Sequence, residues 1–554
     1  MSSEPSKKII RRQVGGLPLI ESVVRRLGLR ELLAEAVPSS GREAMPPSEV
    51  LTLLAINMTI ARDPLYELSR WASGMDLRVL GHRQPPRLGD DRCGRALDRL
   101  HLADRASLTT RLAVSAVSAF GLRVGRIHND STTVSACGRI PGRTRTGLEL
   151  RLGHSKAHRP DLRQLVYSLS VADDGAVPVH HCVYPGNRND ETTHIETWDA
   201  LREIHGGPDF LYVADCKLCT QEQLGHIVGN GGRAVTVVPR NFTEVRDFLG
   251  RLRAENLPRR FLWRRPRPSK DEPPETFHLF DGDCRTEHGY PLYWIHSSEK
   301  RRRDRRAREE RLQAAEAALT ELAPRLNARR LKRQPDILRA VADILDRHRL
   351  KGLLDVRLRQ HAERWRVRRR GRPGKCPGYQ TRCRMSYSLE WGRNQAARTA
   401  EARTDGVFPL LCTDPALPPR DVLKTYKFQP RLEKRFAQFK SIHRAAPLLF
   451  KRIERVEANM FLFFVALMIQ ALIERTLRQS LARDHAPPLK LYPEERDAPH
   501  PTTSQLLKTF ESLSTYTIMQ DGRPVEECHD ELDETHRRVL KIFDINEENF
   551  WKTP

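Results

Sequence analysis

An α/β fold, with a sheet that gathers carboxylates at one end of its strands, is predicted by three observations. Between about 119 and 244 the hydrophobic period is that of strands: Val124 to His128, Leu165 to Ala172 (LVYSLSVA) and Val177 to Tyr184 (VPVHHCVY). Acidic residues stand where apolar strands are expected to end, Asp130 in RIHNDSTTV and Asp215 in FLYVADCKL. A third, Glu433, lies far downstream on the helix expected for YKFQPRLEKRFAQFK.

Taken in order, the first 118 residues read as helical. Ile20, Val23, Val24 and Leu27 recur at helical spacing before Gly28, and Leu51, Leu54, Ala55 and Met58 repeat it after Pro46-Pro47-Ser48. The second and third strand runs are separated by Asp173, Asp174 and Gly175, turn residues that predict a hairpin or meander. A helix-like stretch from Glu191 to Ile204, a short strand from Phe210 to Ala214, another helix and a strand from Ala234 to Val238 follow. Antiparallel strands followed by strand–helix alternation make an α/β sheet.

Residues 245–403 read as a basic insertion. It contains the Pro-broken RRFLWRRPRPSKDEPP, strand-like runs between Thr276 and Ser298, and a charged helix from Glu299 to Leu322 that buries Leu312, Ala315, Leu319 and Leu322. Two clusters stand out, Arg301, Arg302 and Arg303 in KRRRDRRAR, and Arg368, Arg369 and Arg370 in RWRVRRRGRPGK. Phosphate-backbone contact is the favoured reading and a solvated charged face the alternative. Residues 404–477 return to the sheet with the strand GVFPLLC, the Glu433 helix and an apolar helix over 447–477; residues 478–554 form a partly helical tail.

Composition bounds the function. At 554 residues the chain exceeds one hydrophobic core and suggests two to four domains. The 95 Lys and Arg against 70 Asp and Glu give a net charge of +25, the footprint of a polyanion partner such as DNA or RNA; a high-pI housekeeping enzyme explains charge alone equally well. Ten scattered cysteines and no secretory signal at Met1 fit a reducing cytosol, hence a cytoplasmic protein, nucleoid-associated when bound to DNA. The pair Cys216 and Cys219 lacks a second pair at zinc spacing and reads as buried. The run Met460 to Leu472 is shorter than the roughly 20 residues that span a bilayer, so it reads as a core helix and no membrane is expected.

Two Asp and one Glu from separate elements can supply the hard oxygen ligands that Mg2+ prefers, with Mn2+ as a substitute. Such ions deprotonate an attacking hydroxyl and stabilise a leaving oxygen in phosphoryl transfer. Tyr426, Glu433 and Lys440 are spaced seven apart, nearly two helical turns, and are expected on one face of one helix, with Lys440 placed for a DNA phosphate.

These residues resemble the DDE transposases of bacterial insertion sequences, in the class marked by Tyr-x2-Arg-x3-Glu-x6-Lys. Tyr426, Gln429, Glu433 and Lys440 occupy that register with three of four identities, and IHNDSTTV, YVAD and the stretch from Gly153 to Asp190 are similar to the family's segments. The resemblance runs to about residue 475. It implies a ribonuclease H-like catalytic core interrupted by an insertion domain, with helical N- and C-terminal regions. It further implies Asp130, Asp215 and Glu433 as metal ligands and a homodimer on DNA, with terminal inverted repeats and target DNA as partners. Gln429 departs from the expected Arg and exchanges a charge-assisted contact for a neutral one. Pro430 lacks an amide hydrogen and biases Gln429 away from helical angles, so a helix start or kink is expected there. The alternatives are a nuclease of the same fold without strand transfer and a decayed, non-catalytic DNA-binding protein.

Overall fold

The computed structural model describes residues 7–552, apart from positions 62, 139, 157–158, 190–191, 267–271, 283, 369–378, 443–449, 493 and 495. The chain is mixed α/β and divides into two units, Met1–Thr236 with Leu423–Pro554, and Val237–Val422.

In the first unit the strands are β1 (Lys7–Gln13), β2 (Arg126–Ser135), β3 (Gln164–Ala172), β4 (Pro178–Pro185), β5 (Leu211–Val213) and β6 (Arg233–Val237). Five of them lie in the order β4-β3-β2-β5-β6. The β4-β3-β2 pairs are antiparallel, because a short turn joins β3 to β4; β5 and β6 run parallel to β2. Parallel neighbours need crossovers, and the helices His194–His205 and Gln221–Gly229 supply them before β5 and β6. All of β3 and β5 is buried, as expected of a sheet covered on both faces.

One strand differs from expectation. The strand expected over Val124 to His128 runs on to Ser135, so Asp130 sits in its middle rather than at its end. The polar run is satisfied inside the sheet: the Asn129 amide donates to Ser168 Oγ and Ser170 Oγ, each at 3.0 Å, and the β-branched Thr132 and Thr133 continue the ladder on β3.

The β3–β4 turn is clamped from outside. Gly175 has φ +85° and a Cβ there would stand 2.9 Å from Arg475 Cβ, so this position needs glycine. Arg475 donates to Asp174 Oδ2 at 2.6 Å, while Arg435 donates to the carbonyls of Gly175 and Ala176, both at 2.9 Å. Arg475 belongs to the Ile453–Arg483 helix, whose residues from Val456 to Arg475 are all buried, in line with a core-helix reading of its apolar run. Among the described residues this is the one helix long and apolar enough to cross a membrane, and its apolar stretch is wholly enclosed by protein.

The second unit holds β7 (Arg259–Arg265), β8 (Glu275–Phe280), β9 (Cys284–Arg285), β10 (Pro291–Ser297), β11 (Leu354–Arg368), β12 (Tyr379–Arg393) and β13 (Val407–Cys412). Its sheet has the order β13-β10-β8-β7, antiparallel throughout, with β9 on β10. The Ser298–Leu322 helix buries Leu312, Ala315, Leu319 and Leu322, as its spacing predicts. They form a core with Ile337, Val341, Leu350 and Leu354. The basic run at 364–368 lies in β11, which with β12 makes a long antiparallel ribbon that the sequence reading left as a charged cluster.

The tail returns to the first unit with β14 (Leu489–Lys490), β15 (Asp497–Ala498), β16 (Ser514–Gln520) and β17 (Arg523–His529). β16 pairs with β1 along its length and with β17 on its other edge. The N-terminal region is therefore helical, from Leu17–Arg26 to Arg105–Phe120, except for an opening strand, and the tail carries strands beside its helices. The opening strand escapes local periodicity because its partner β16 lies some 500 residues away.

Candidate active site

Two of the acids follow the paired stretch of neighbouring strands. β2 and β5 are parallel neighbours with Ile127 opposite Tyr212 and His128 opposite Val213. Asp130 and Asp215 each lie two residues beyond this last pair, Asp130 still within β2 and Asp215 just past the end of β5. Asp215 caps a short 3-10 turn at the end of β5: its Oδ1 accepts from the Lys217 amide at 2.9 Å, and its carbonyl accepts from the Thr236 hydroxyl at 2.6 Å. Asp130 Oδ1 accepts from the Ser131 amide at 2.7 Å and lies 3.6 Å from the Lys156 ammonium. Lys156 also donates to the Ser131 carbonyl at 2.7 Å and hydroxyl at 2.9 Å, which pins it beside β2.

Glu433 arrives on the Gln429–Ala437 helix, with Pro430 in its first turn. That helix packs on β2, and Phe428, the residue before it, stacks on His128 with ring centroids 4.5 Å apart. Leu432, Arg435 and Phe436 face inward and leave the Glu433 carboxylate exposed. Arg435 anchors the buried side through Glu474 at 2.9 Å.

The single helix expected to carry Tyr426, Glu433 and Lys440 is instead three pieces. Tyr426 ends the Pro419–Tyr426 helix, Glu433 lies in the next, and Lys440 lies in a π-helical turn over Gln438–Ile442. Pro430 is the physical reason: it has no amide hydrogen to donate back to Tyr426, and its ring disfavours helical angles at Gln429. Gln429 therefore opens a helix rather than continuing one, and its buried amide oxygen has no hydrogen-bond partner among the described residues.

Tyr426 still meets the acids. Its phenol is pushed up to about 12, first by burial and then by the negative charges of Asp215, Cys216, Glu433 and Asp130. One hydroxyl thus lies within the field of all three carboxylates. Lys440 is held below its ordinary value by burial and by the neighbouring Lys156, so two ammonium groups approach each other on the side of Asp130. Lys156 belongs to the GHSKAHRP segment, and sequence reasoning gave it no role; its signal was a lysine inside a stretch already singled out.

Among the described residues no three His, Cys, Asp or Glu side chains close into a group able to hold an ion. The donor set has the right chemistry for Mg2+, hard carboxylate oxygens on separate elements, and the Lys156 ammonium stands in as a cation at Asp130. Cys216 is half-buried and Cys219 buried, and no disulfide joins any cysteine among the described residues.

Of the basic residues, Arg301, Arg302 and Arg303 are exposed on the Ser298–Leu322 helix, and Arg302 pairs with Glu299 at 2.6 Å. Arg368 is exposed at the end of β11; Arg369 and Arg370 lie outside the described residues.

A family model described as a domain of unknown function (DUF4277) matches residues 9–114, the N-terminal strand and helices. No curated protein matches the sequence. Among solved structures, the chain is similar to a piggyBac transposase in a synaptic complex with hairpin DNA. The two are 9% identical with a TM-score of 0.36, over 92% of this chain and 82% of that one.

Proposed function

We propose that this chain is a DNA transposase that binds the ends of an insertion sequence, cuts DNA by metal-dependent hydrolysis and joins the freed 3′-hydroxyl strand to target DNA. The observation that supports the reading is that Asp130 and Asp215 each follow by two residues the last pair of the parallel strands β2 and β5, with Asp215, Glu433 and Asp130 all raising the Tyr426 phenol after burial does. The strand order β4-β3-β2-β5-β6 supports a ribonuclease H-like core.

Asp130, Asp215 and Glu433 would hold Mg2+, or Mn2+ in its place. Bound there, the ion supplies Lewis-acid activation of the attacking oxygen and charge stabilisation of the leaving one. The remaining work belongs to the chain. Lys440 and Lys156 bind the phosphate beside Asp130; at the pH of the cell Tyr426 keeps its proton and donates it as a hydrogen bond; Gln429 offers an amide where an arginine would offer charge. The helical region up to residue 118 reads the element's ends, and two copies act together on DNA in the cytoplasm.

Asp130→Asn and Glu433→Gln test the reading, because neutral amides are poorer ligands for a hard cation but scarcely alter a net charge of +25. Both variants are expected to lose Mg2+-dependent cleavage of end-containing duplex while retaining DNA affinity. Cleavage that survives in both puts the metal elsewhere. A wild-type chain that cuts without forming joined product is the nuclease instead, and one that binds without cutting is the non-catalytic DNA-binding protein.

A further inference from the structure

The β11–β12 ribbon is built in two halves of opposite character. Its proximal half belongs to the unit's core: Val356, Leu358, Tyr387, Leu389 and Trp391 pack against the Leu312–Leu319–Ile337 cluster. The charges there are spoken for, with Arg359 on Glu390 at 2.9 Å and Arg393 on Glu309 and Glu316 at 2.6 and 2.7 Å. The distal half, residues 361–368 paired with 379–386, is outside that core, and its faces are open among the described residues. Its side chains are exposed save for half-buried Val367 and Ser386, and Trp365 and Tyr379 expose 43% and 58% of their surface.

That half carries five arginines, at 364, 366, 368, 382 and 384, against one acid, Glu363, and none of the five is ion-paired among the described residues. Register sorts them. Arg364, Arg366 and Arg368 share one face with Cys383, Thr381 and Tyr379; Trp365 and Val367 share the other with Arg382 and Gln380. Same-face residues in an antiparallel strand are about 6.8 Å apart, so the three arginines form a row about 14 Å long that can track a phosphate backbone. A two-stranded ribbon unsupported on both faces is marginally stable in water, and the major groove, about 12 Å wide, admits one.

We propose that the distal β11–β12 ribbon is a docking arm that lies in the major groove of duplex DNA, with the Arg364–Arg366–Arg368 face on the phosphates. The proposal rests on the DNA-acting reading above and names the surface through which this unit engages the duplex. Charge complementarity selects the occupant: a second copy of the chain, itself at +25, would meet this arm with repulsion.

The test is equilibrium binding of the full chain to end-containing duplex across salt, for wild type, for the triple variant Arg364→Ala/Arg366→Ala/Arg368→Ala, and for Arg359→Ala as an ion-paired control. Each phosphate contact contributes about 0.9 to the salt slope, so the triple variant should flatten it by about 2 to 3 and the control should leave it unchanged. Wild type should protect guanine N7, a major-groove atom, from methylation, and the triple variant should not. Wild-type binding with an equal slope in the triple variant overturns the docking arm and leaves the DNA reading standing. A flattened slope without N7 protection overturns the groove placement. Loss of self-association at unchanged slope assigns the ribbon to a second copy instead, and absence of any duplex binding by wild type removes both readings.

Discussion

Arg435→Met should release the helix that carries Glu433 without touching an acid. The Arg435 guanidinium and the Glu474 carboxylate are each only 3% exposed and 2.9 Å apart. Arg435 also donates to the carbonyls of Gly175 and Ala176 and to Gln438 Oε1 at 2.8 Å. Burial pulls the guanidinium below its ordinary range and Glu474 opposes that shift. Methionine keeps the volume and removes every donor. Stripping one member from a buried pair costs about 3–5 kcal/mol. Glu474 would retain the Gln438 amide and the Thr503 N–H, both at 3.2 Å, and Arg478 at 3.5 Å, which places the loss near the lower end, about 3 kcal/mol. Amide hydrogen exchange over Gln429–Ala437 reads this locally, even where a chain of two units unfolds in more than one step. About 3 kcal/mol corresponds to exchange roughly two decades faster. Cleavage should fall as well, since Glu433 loses its fixed position with all three carboxylates intact. Exchange within threefold of wild type, with Lys434→Met as the exposed control, would refute the anchoring argument.

Tyr426→Phe should remove an alkaline liability: the folded phenol is raised to about 12 from an ordinary 10, so its contribution is intact below pH 10 and drains away between 10 and 12. Urea midpoints taken across that window should fall for wild type and fall less for the variant; parallel curves would show that neither burial nor the acids hold the phenol above its ordinary value. Gly175→Ala forces a side chain into φ +85° and against Arg475, and should cost at least about 1–2 kcal/mol by unfolding midpoint; an unchanged midpoint would mean the turn relaxes freely. Changing Arg301, Arg302, Arg303 and Arg305 together to Ala should flatten the DNA salt slope by about 2–3 rather than the 3–4 of four phosphate contacts. The reason is that Arg302 is already on Glu299, which leaves three arginines to meet phosphates. A full drop of 3–4 would make this helix a primary contact.

What the sequence made legible and what it hid divide along one physical line. Asp215 was legible because strand, acid and turn follow one another locally, and the buried stripe of the Ser298–Leu322 helix because helical spacing is local too. Pro430 was equally local: the same residue that interrupts the Tyr-Glu-Lys spacing starts the Glu433 helix afresh. Lys156 was hidden because its meaning depends on a loop returning to β2, where its ammonium meets Asp130 and Ser131. The β1–β16 pairing was hidden by a separation of almost the whole chain. The β11–β12 ribbon was hidden by charge, since arginines on both faces erase the apolar–polar alternation by which a half-buried strand is recognised. That erasure is itself informative. A strand whose two faces are both polar has been selected for something other than a core, and an arm with five arginines against one glutamate favours a polyanion over a protein face.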